Sequence, residues 1–595
     1  MALWNLLFLF VHVVIAFDPY NDDDLNSYLT LPRHRILKWD ITYHDRSRVA
    51  PGYWFVAPYF KYGGEEFTNR WMPCQVGPYI FDQDGELVWA GACDYPNRNA
   101  YDFRVVNTLG PSPHLSWQMH PPFEGSPEDG LAVIYNNHYE PIYQINRPTE
   151  IQDMHEFMVK EPPVALTLIA RNEWRSMAEF GQDRNVWAYS VGFAQLDIET
   201  GLYRSQWFPD EIQLMESFVL DPREPDPARD WLHGNSIDTD SDGNFLFSAR
   251  HLDTIYLIDR QFQFIIWRLG GLLSDFEMDF EFHRQHDAKF ISSNSTHVVL
   301  SFLNNGADNH GAIESTSAGM YVELNLMTLK ARLLNRYPRP DKGISFARGN
   351  MQTLPNNNVL MSWSAAAYMS EFAHDGTLLM EARFASNRLD TYRAYKFPWV
   401  GRPKWPPDLV AFCYGVNGSE STTAFHVSWN GATGISYWRF YSWNGNVSTE
   451  IGTIPKKGFE TTYIARGYME WVSAEALGSE YESMGNSTVH HTNPPAYWPE
   501  GAPKLKADDP SSMKVSDAAK AARFARLTAA MNARAGLLVE SFIAGFLISA
   551  AICILFFKAS TYRYSQCLAI KYLWSKDSVE EEEELNLLRD TERNS

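Results

Sequence analysis

An all-β fold is predicted by three observations. Aromatic residues make up 14% of the chain, with 20 Trp and 30 Tyr among them. Short runs rich in Ile, Phe, Tyr or Leu, bounded by Gly, Asp or Asn, recur along it at strand length. One group of such runs returns in further copies, and a small antiparallel sheet that cannot bury its own faces needs neighbours of its own kind.

The clearest group runs from Leu232 to Gly271 and reads LHGNSIDTDSDGNFLFSARHLDTIYLIDRQFQFIIWRLGG. A histidine leads, an Asp-rich turn ends in Asp242-Gly243, and three strands NFLFSAR, DTIYLID and QFIIWRL follow, with Arg250 at the end of the first. Other copies share this grammar, and His155, His233 and His286 take the leading slot, with Asn350 in the last copy. Their spacings are about 78, 53 and 64 residues, within reach of four-stranded propeller blades carrying insertions. With two earlier sheets, built from GYWFVAPYF and YIFDQDGELVWAG and then from LSWQMH, GLAVIYN and EPIYQIN, the count is about six blades.

Taken in order, residues 1–16 are expected to be a signal peptide, an apolar run ending in small residues, although no Lys or Arg precedes it. Residues 17–400 form the propeller. From about Trp405 the alternating strands DLVAFCYGV, TAFHVSWNG, SYWRFYSWN and TTYIARGYMEWVSAE lack the blade grammar, so residues 401–484 read as a small β-sandwich-like domain. Pro-rich steps and an Ala-rich helix occupy 485–534. The 23 residues 535–557 carry only Glu540 as an ionisable group and are long enough to cross a hydrocarbon core of about 30 Å. That span predicts a C-terminal transmembrane helix. Residues 558–595 then form an acidic cytosolic tail, and the chain is a single-pass type I membrane protein of the secretory pathway or cell surface.

The remaining composition fits an oxidising compartment. Cys74 and Cys93 flank the Asp84-Gly85 hairpin and are expected to form a disulfide, while Cys413 is left over as a buried apolar residue. Sequons stand at Asn294, Asn417, Asn446 and Asn486. A net charge of −21 argues against a nucleic-acid partner, whose phosphates need a basic surface. The oligomeric state is left open by the sequence.

A lone histidine is as a rule a satisfied structural group. Three in one slot of a repeat point instead to a shared axial site, where imidazole serves proton transfer, metal ligation or nucleophilic attack near neutral pH. Arg250 is the candidate for holding an anion's oxygens, with His251, Arg284 and Arg348 as secondary candidates. Asp238, Asp240, Asp242 and Gly243 imitate the start of a calcium loop, but its twelfth position is Ala249, so a hairpin turn is the better reading. No metal and no cofactor are expected. The adjacent His490 and His491 read as solvated linker residues.

At DWLHGNSIDTDSDGNFLFSARHLDTIYLID, followed by IIWRLGG and RQHDAKF, the sequence resembles the arylsulfotransferase family, in particular a fungal branch of it, over roughly Tyr53 to Trp399. The resemblance implies a six-bladed propeller and transfer of a sulfuryl group between phenols without a nucleotide donor, through a transiently sulfated histidine. His286, in the Q-H segment, then matches the nucleophile. His233 matches the histidine of the H-x-N-S segment, Arg250 the arginine of S-x-R-H, and His155 an earlier histidine; His251 joins His155 in substrate binding. The expected partner is a phenolic or other hydroxylated small molecule. The anchor and the C-terminal β region depart from the bacterial pattern. Two alternatives stand beside transfer: another conversion of a specialised metabolite in the same channel, and a non-catalytic propeller that binds or scaffolds.

Overall fold

A computed structural model describes residues 24–60, 73–95, 98–119, 130–147, 152–160, 163–220, 230–261, 264–308, 311–415 and 420–495. The described chain is all-β and propeller-like, with antiparallel sheets throughout and only short 3-10 turns between them.

Six sheets of four or five strands precede residue 400 among the described residues. The first holds Ala100–Val106, His114–Met119, Gly130–Tyr135 and Pro141–Arg147; the second Gln152–Val159, Val164–Ser176, Asn185–Asp197 and Tyr203–Trp207. The third holds Gly234–Thr239, Phe245–Ala249, Thr254–Ile258 and Ile265–Gly270; the fourth His286–Ser293, His297–Asn304, Ala318–Asn325 and Lys330–Pro338, with the short Glu277–Met278 parallel at its edge. Asn350–Thr353, Val359–Trp363, Tyr368–Phe372 and Leu378–Phe384 make the fifth, completed by Trp39–Tyr43 from the N-terminal side. The sixth joins Leu389–Phe397 to Tyr53–Phe60, Tyr79–Phe81 and Leu87–Ala90. The first strand of each sheet packs against that of the next, and Leu389–Phe397 returns to Ala100–Val106.

Between these sheets lie the apolar faces. Phe193, Trp207 and Phe247 meet between the second and third sheets with ring centroids 5.2 to 5.9 Å apart. Phe282 and Phe302 meet at 4.9 Å in the cluster that holds the third and fourth together. Each such ring, fully buried, contributes roughly 1.5–3 kcal/mol.

The Leu232–Gly271 unit differs from its expected form. It has four strands, and Gly234–Thr239, read as the lead into a turn, is the innermost. That strand escapes a hydrophobic reading because its polar residues are buried in bonds to the next sheet: Asn235 Nδ2 donates to Gln285 O at 2.7 Å, and Ser236 Oγ accepts from the Ala288 N–H at 2.9 Å. Arg250 consequently ends the second strand, in a 3-10 turn. The Asp-rich segment is a turn, with Asp240 Oδ1 accepting from the N–H groups of Asp242 and Asn244 and Gly243 at φ +85°.

Beyond residue 400, Asp408–Gly415, Ser421–Ser428 and Thr461–Arg466 form one sheet, and Tyr437–Asn444, Val447–Pro455, Trp471–Leu477 and Ser483–Asn486 another. Phe440 meets Phe425 at 5.3 Å and stacks on Tyr463 at 4.8 Å across them. His490 and His491, expected in a linker, instead pair as a two-residue strand with Val472 and Trp471. Backbone pairing takes hold there despite the prolines that follow.

Cys74 and Cys93 form a disulfide, and Cys413 is buried. Asn294, Asn446 and Asn486 are exposed, while Asn417 lies outside the described residues. The type I membrane placement is corrected: among the described residues no helix is long and apolar enough to cross a membrane. The segments that suggested it, 1–16 and 535–557, both lie outside the described residues, as do the Ala-rich helix and the acidic tail.

Candidate active site

The three leading histidines come together. His155 and His233 approach edge to face at 4.9 Å between ring centroids, and His233 stacks on His251 at 4.6 Å. The positive φ of His233, +53°, turns it off the start of its strand toward them. Each of the first two stands on a carboxylate. His155 Nδ1 donates to Asp153 Oδ1 at 2.7 Å, and His233 Nδ1 donates to Asp230 Oδ2. With each Nδ1–H donated to its carboxylate, Nε2 is the remaining nitrogen of each ring. Burial raises the Asp230 carboxyl while His233 lowers it, and the balance holds it down at about 2.

His286 is 1% exposed and opens the fourth sheet. Its Nδ1 donates to Asn305 Oδ1 at 2.7 Å, and its Nε2 accepts from the Arg348 N–H at 3.2 Å. Burial first, and the Arg250 charge second, push its pKa well below the ordinary value, so the ring is neutral with a lone pair on Nε2. The neighbouring Gln285 is a staple, its Nε2 donating to Ser248 Oγ, Ala249 O and Thr254 O at 3.0 to 3.1 Å.

Arg250 is buried, with NH1 donating to His251 Nε2 at 2.9 Å and NH2 to Phe346 O at 3.0 Å. Its Nε has no partner, and among the described residues no carboxylate stands within ion-pair distance of it. Burial, then Arg284, lower its pKa to about 10, which still leaves it a cation at neutral pH. His251 uses both nitrogens inside the protein, since Nδ1 donates to Asp230 O at 2.7 Å. It thereby holds Arg250 through Nε2 and the Asp230 carbonyl through Nδ1, with its ring against His233. Asp230, His233 and His251 offer ligand atoms within 4.8 Å of one another. With the Arg250 guanidinium on His251 Nε2, that trio ends in a positive charge, an arrangement opposed to a cation.

Of the secondary candidates, Arg284 is neutralised by Asp253 at 2.6 Å and Asp308 at 2.9 Å. Arg348 reaches Tyr59, donating to its hydroxyl and lying 4.9 Å over its ring. From there the circuit continues through tyrosines: Tyr59 to Tyr101 at 6.1 Å, Tyr101 to Tyr392 at 5.9 Å and Tyr392 to His155 at 5.7 Å. One arc of the circuit is imidazole and guanidinium; the other is phenol.

Directly after four of these residues come Asp102, Glu156, Asp287 and Arg393, and they form a second layer. Arg393 NH1 donates to Asp102 Oδ1 at 2.9 Å and Glu156 Oε2 at 3.1 Å, and NH2 to Asn235 O at 3.1 Å. Lys289 Nζ donates to Glu156 Oε2 at 2.8 Å, and Arg104 binds both Asp102 and Glu156. Asp102 and Asp287 take φ of +57°, which turns each inner strand at this level. Sequence reasoning missed Asp153, Asp230, Asn305, the tyrosine arc and this layer. An acid two or three residues before a leading histidine, as in DMH and DWLH, was the one available signal.

Fold and site define an all-β, propeller-like protein with a buried histidine and arginine centre. Residues 129–385, a stretch shorter than half the chain, match the family described as Arylsulfotransferase (ASST), and this match supports that family for the chain. No curated protein matches the chain. Among solved structures, a protein of unknown function from Bacteroides caccae is 12% identical, with 58% of this chain and 99% of that one covered and a TM-score of 0.33. The GH43 BlXynB protein from Bacillus licheniformis gives 8% identity, 65% and 89% coverage and a TM-score of 0.27. A catalytically inactive virginiamycin B lyase from Staphylococcus aureus with quinupristin gives 10%, 67% and 96%, and 0.25. Identities and scores of this size carry no inference about what this chain does.

Proposed function

We propose that the chain is a sulfuryl transferase acting between phenolic compounds, built as a six-bladed propeller over residues 17–400 with a β-sandwich-like domain after it. The family match over 129–385 supports this reading, since the stretch contains His155, His233, Arg250 and His286. The observation that carries it is Arg250: a buried guanidinium whose Nε has no partner and which makes no ion pair among the described residues calls for an anion.

The residues then divide the work. His286 Nε2 turns its lone pair from the Arg348 N–H to the sulfur of an aryl sulfate, an N–S bond forms as the S–O bond to the phenol breaks, and the leaving oxygen takes the Nε2 proton of an imidazolium at His155 or His233, whose charge Asp153 or Asp230 balances. Nδ1 keeps its proton on Asn305, so the sulfated ring carries positive charge and remains a good leaving group. Arg250 spreads the charge on the transferring oxygens. In the second half the same histidine takes the acceptor's proton, the acceptor oxygen attacks sulfur, and the N–S bond breaks.

The test incubates the purified full-length protein with 4-nitrophenyl sulfate and a phenol acceptor, beside His286→Ala and Arg250→Ala. Acceptor-dependent nitrophenol release that falls at least about a thousandfold in each variant is the expected result. Turnover that survives His286→Ala would move the nucleophile elsewhere, and no turnover across several donors in a folded sample overturns the reading.

A further inference from the structure

Tyr392 stands at the junction of the two arcs. It is 1% exposed, its ring lies 5.7 Å from His155 and 5.9 Å from Tyr101, and its hydroxyl has no partner in the protein. The other phenol nearest the cationic arc is satisfied, since Tyr59 takes a hydrogen bond from Arg348. A buried hydroxyl without a partner is costly, and it is retained where something else completes it. Burial and the surrounding acids raise the Tyr392 phenol, so it remains an O–H donor. All three tyrosines lie outside the stretch that matches the family, so the match assigns them nothing.

We propose that Tyr392 selects a hydroxylated aromatic ligand, its hydroxyl donating to the oxygen on the ligand ring while Tyr101 and Tyr59 form the wall against which that ring lies. The proposal deepens the transfer reading and rests on it for the identity of the site. The ligand would span the junction, with its oxygen between Tyr392 and His155 and its ring on the phenol arc. An aromatic face supplies stacking, and one neutral donor supplies the discrimination that a purely apolar pocket lacks.

The experiment compares 2-naphthol with naphthalene, which share a ring system and differ by the hydroxyl, by equilibrium fluorescence titration of the full-length protein. Wild type is expected to prefer 2-naphthol. Tyr392→Phe should lower that preference three- to tenfold while naphthalene binding and the thermal unfolding midpoint stay as they are. Tyr101→Ala should weaken both ligands alike. An unchanged preference in Tyr392→Phe, or a wild type that binds neither ligand, overturns the proposal. The naphthol preference lost in Tyr392→Phe, without turnover of any aryl sulfate, would sink the transfer reading and leave Tyr392 standing; turnover with an unaltered preference would do the reverse.

Discussion

Asn305 Oδ1 lies 2.7 Å from His286 Nδ1, and the Asn305 amide nitrogen is committed to Ser345 O at 2.7 Å and Arg348 O at 3.1 Å. The amide cannot turn over without losing both carbonyls, so Asn305, together with the Arg348 N–H on Nε2, pins the imidazole proton on Nδ1. Asn305→Ala is expected to leave the Nδ1 proton only the longer contact to Arg284 O at 3.3 Å, to loosen the ring, and to lower kcat by about 10- to 100-fold, the equivalent of one buried hydrogen bond, with little change in KM. Steady-state kinetics with an aryl sulfate read this directly, and an unaltered kcat would show that the tautomer is held by something else.

Acid sensitivity follows in part from two histidines of the site that burial keeps neutral. His286 is pushed well below its ordinary value and His251 down to about 3, both chiefly by burial. The unfolded chain therefore takes up these protons first. Their contribution to stability is complete above pH 6.5 and is lost as pH falls from there toward the folded values, at about 1.4 kcal/mol per pH unit for each. Urea unfolding at pH 7.5, 6 and 5 should show a slope that His286→Asn reduces by one histidine's share.

Arg393 is buried among carboxylates, and Arg393→Met would leave Asp102 and Glu156 without one of their cations. A loss of about 3–5 kcal/mol is expected, because an uncompensated buried charge costs more than the pair gains. Chemical denaturation of the variant measures it. A loss under about 1 kcal/mol would mean that Arg104 and Lys289 suffice.

The Cys74–Cys93 bond joins cysteines 19 positions apart around the Asp84-Gly85 hairpin. Replacing both by serine is expected to lower stability by about 3 kcal/mol, mostly by freeing the unfolded chain. The check is the thermal midpoint of the double variant against wild type treated with reductant; agreement between the two is the predicted result.

The outer strands were legible because they alternate or run apolar, as in NFLFSAR and DTIYLID, and the disulfide was legible from its hairpin. The inner strands were not. GNSIDT buries Asn235 and Ser236 in bonds to a neighbouring sheet, so the residues nearest the axis look like turn residues in the sequence. The same physics hid half of the site. Histidines in a repeated slot announce themselves, whereas Asn305, Tyr59 and Tyr392 gain meaning only from partners several sheets away.

The sixth sheet joins Tyr53–Phe60 to Leu389–Phe397, and the fifth borrows Trp39–Tyr43 to finish its outer edge. During synthesis the eight residues YWFVAPYF therefore leave the ribosome long before their inner partner exists, and every nascent length short of Phe397 carries a bare strand edge. Pro58 interrupts that edge, a natural guard against pairing with a neighbouring chain. A product cut off before Leu389 is accordingly expected to keep that edge bare and to behave as an aggregation-prone fragment rather than as a smaller protein with fewer sheets.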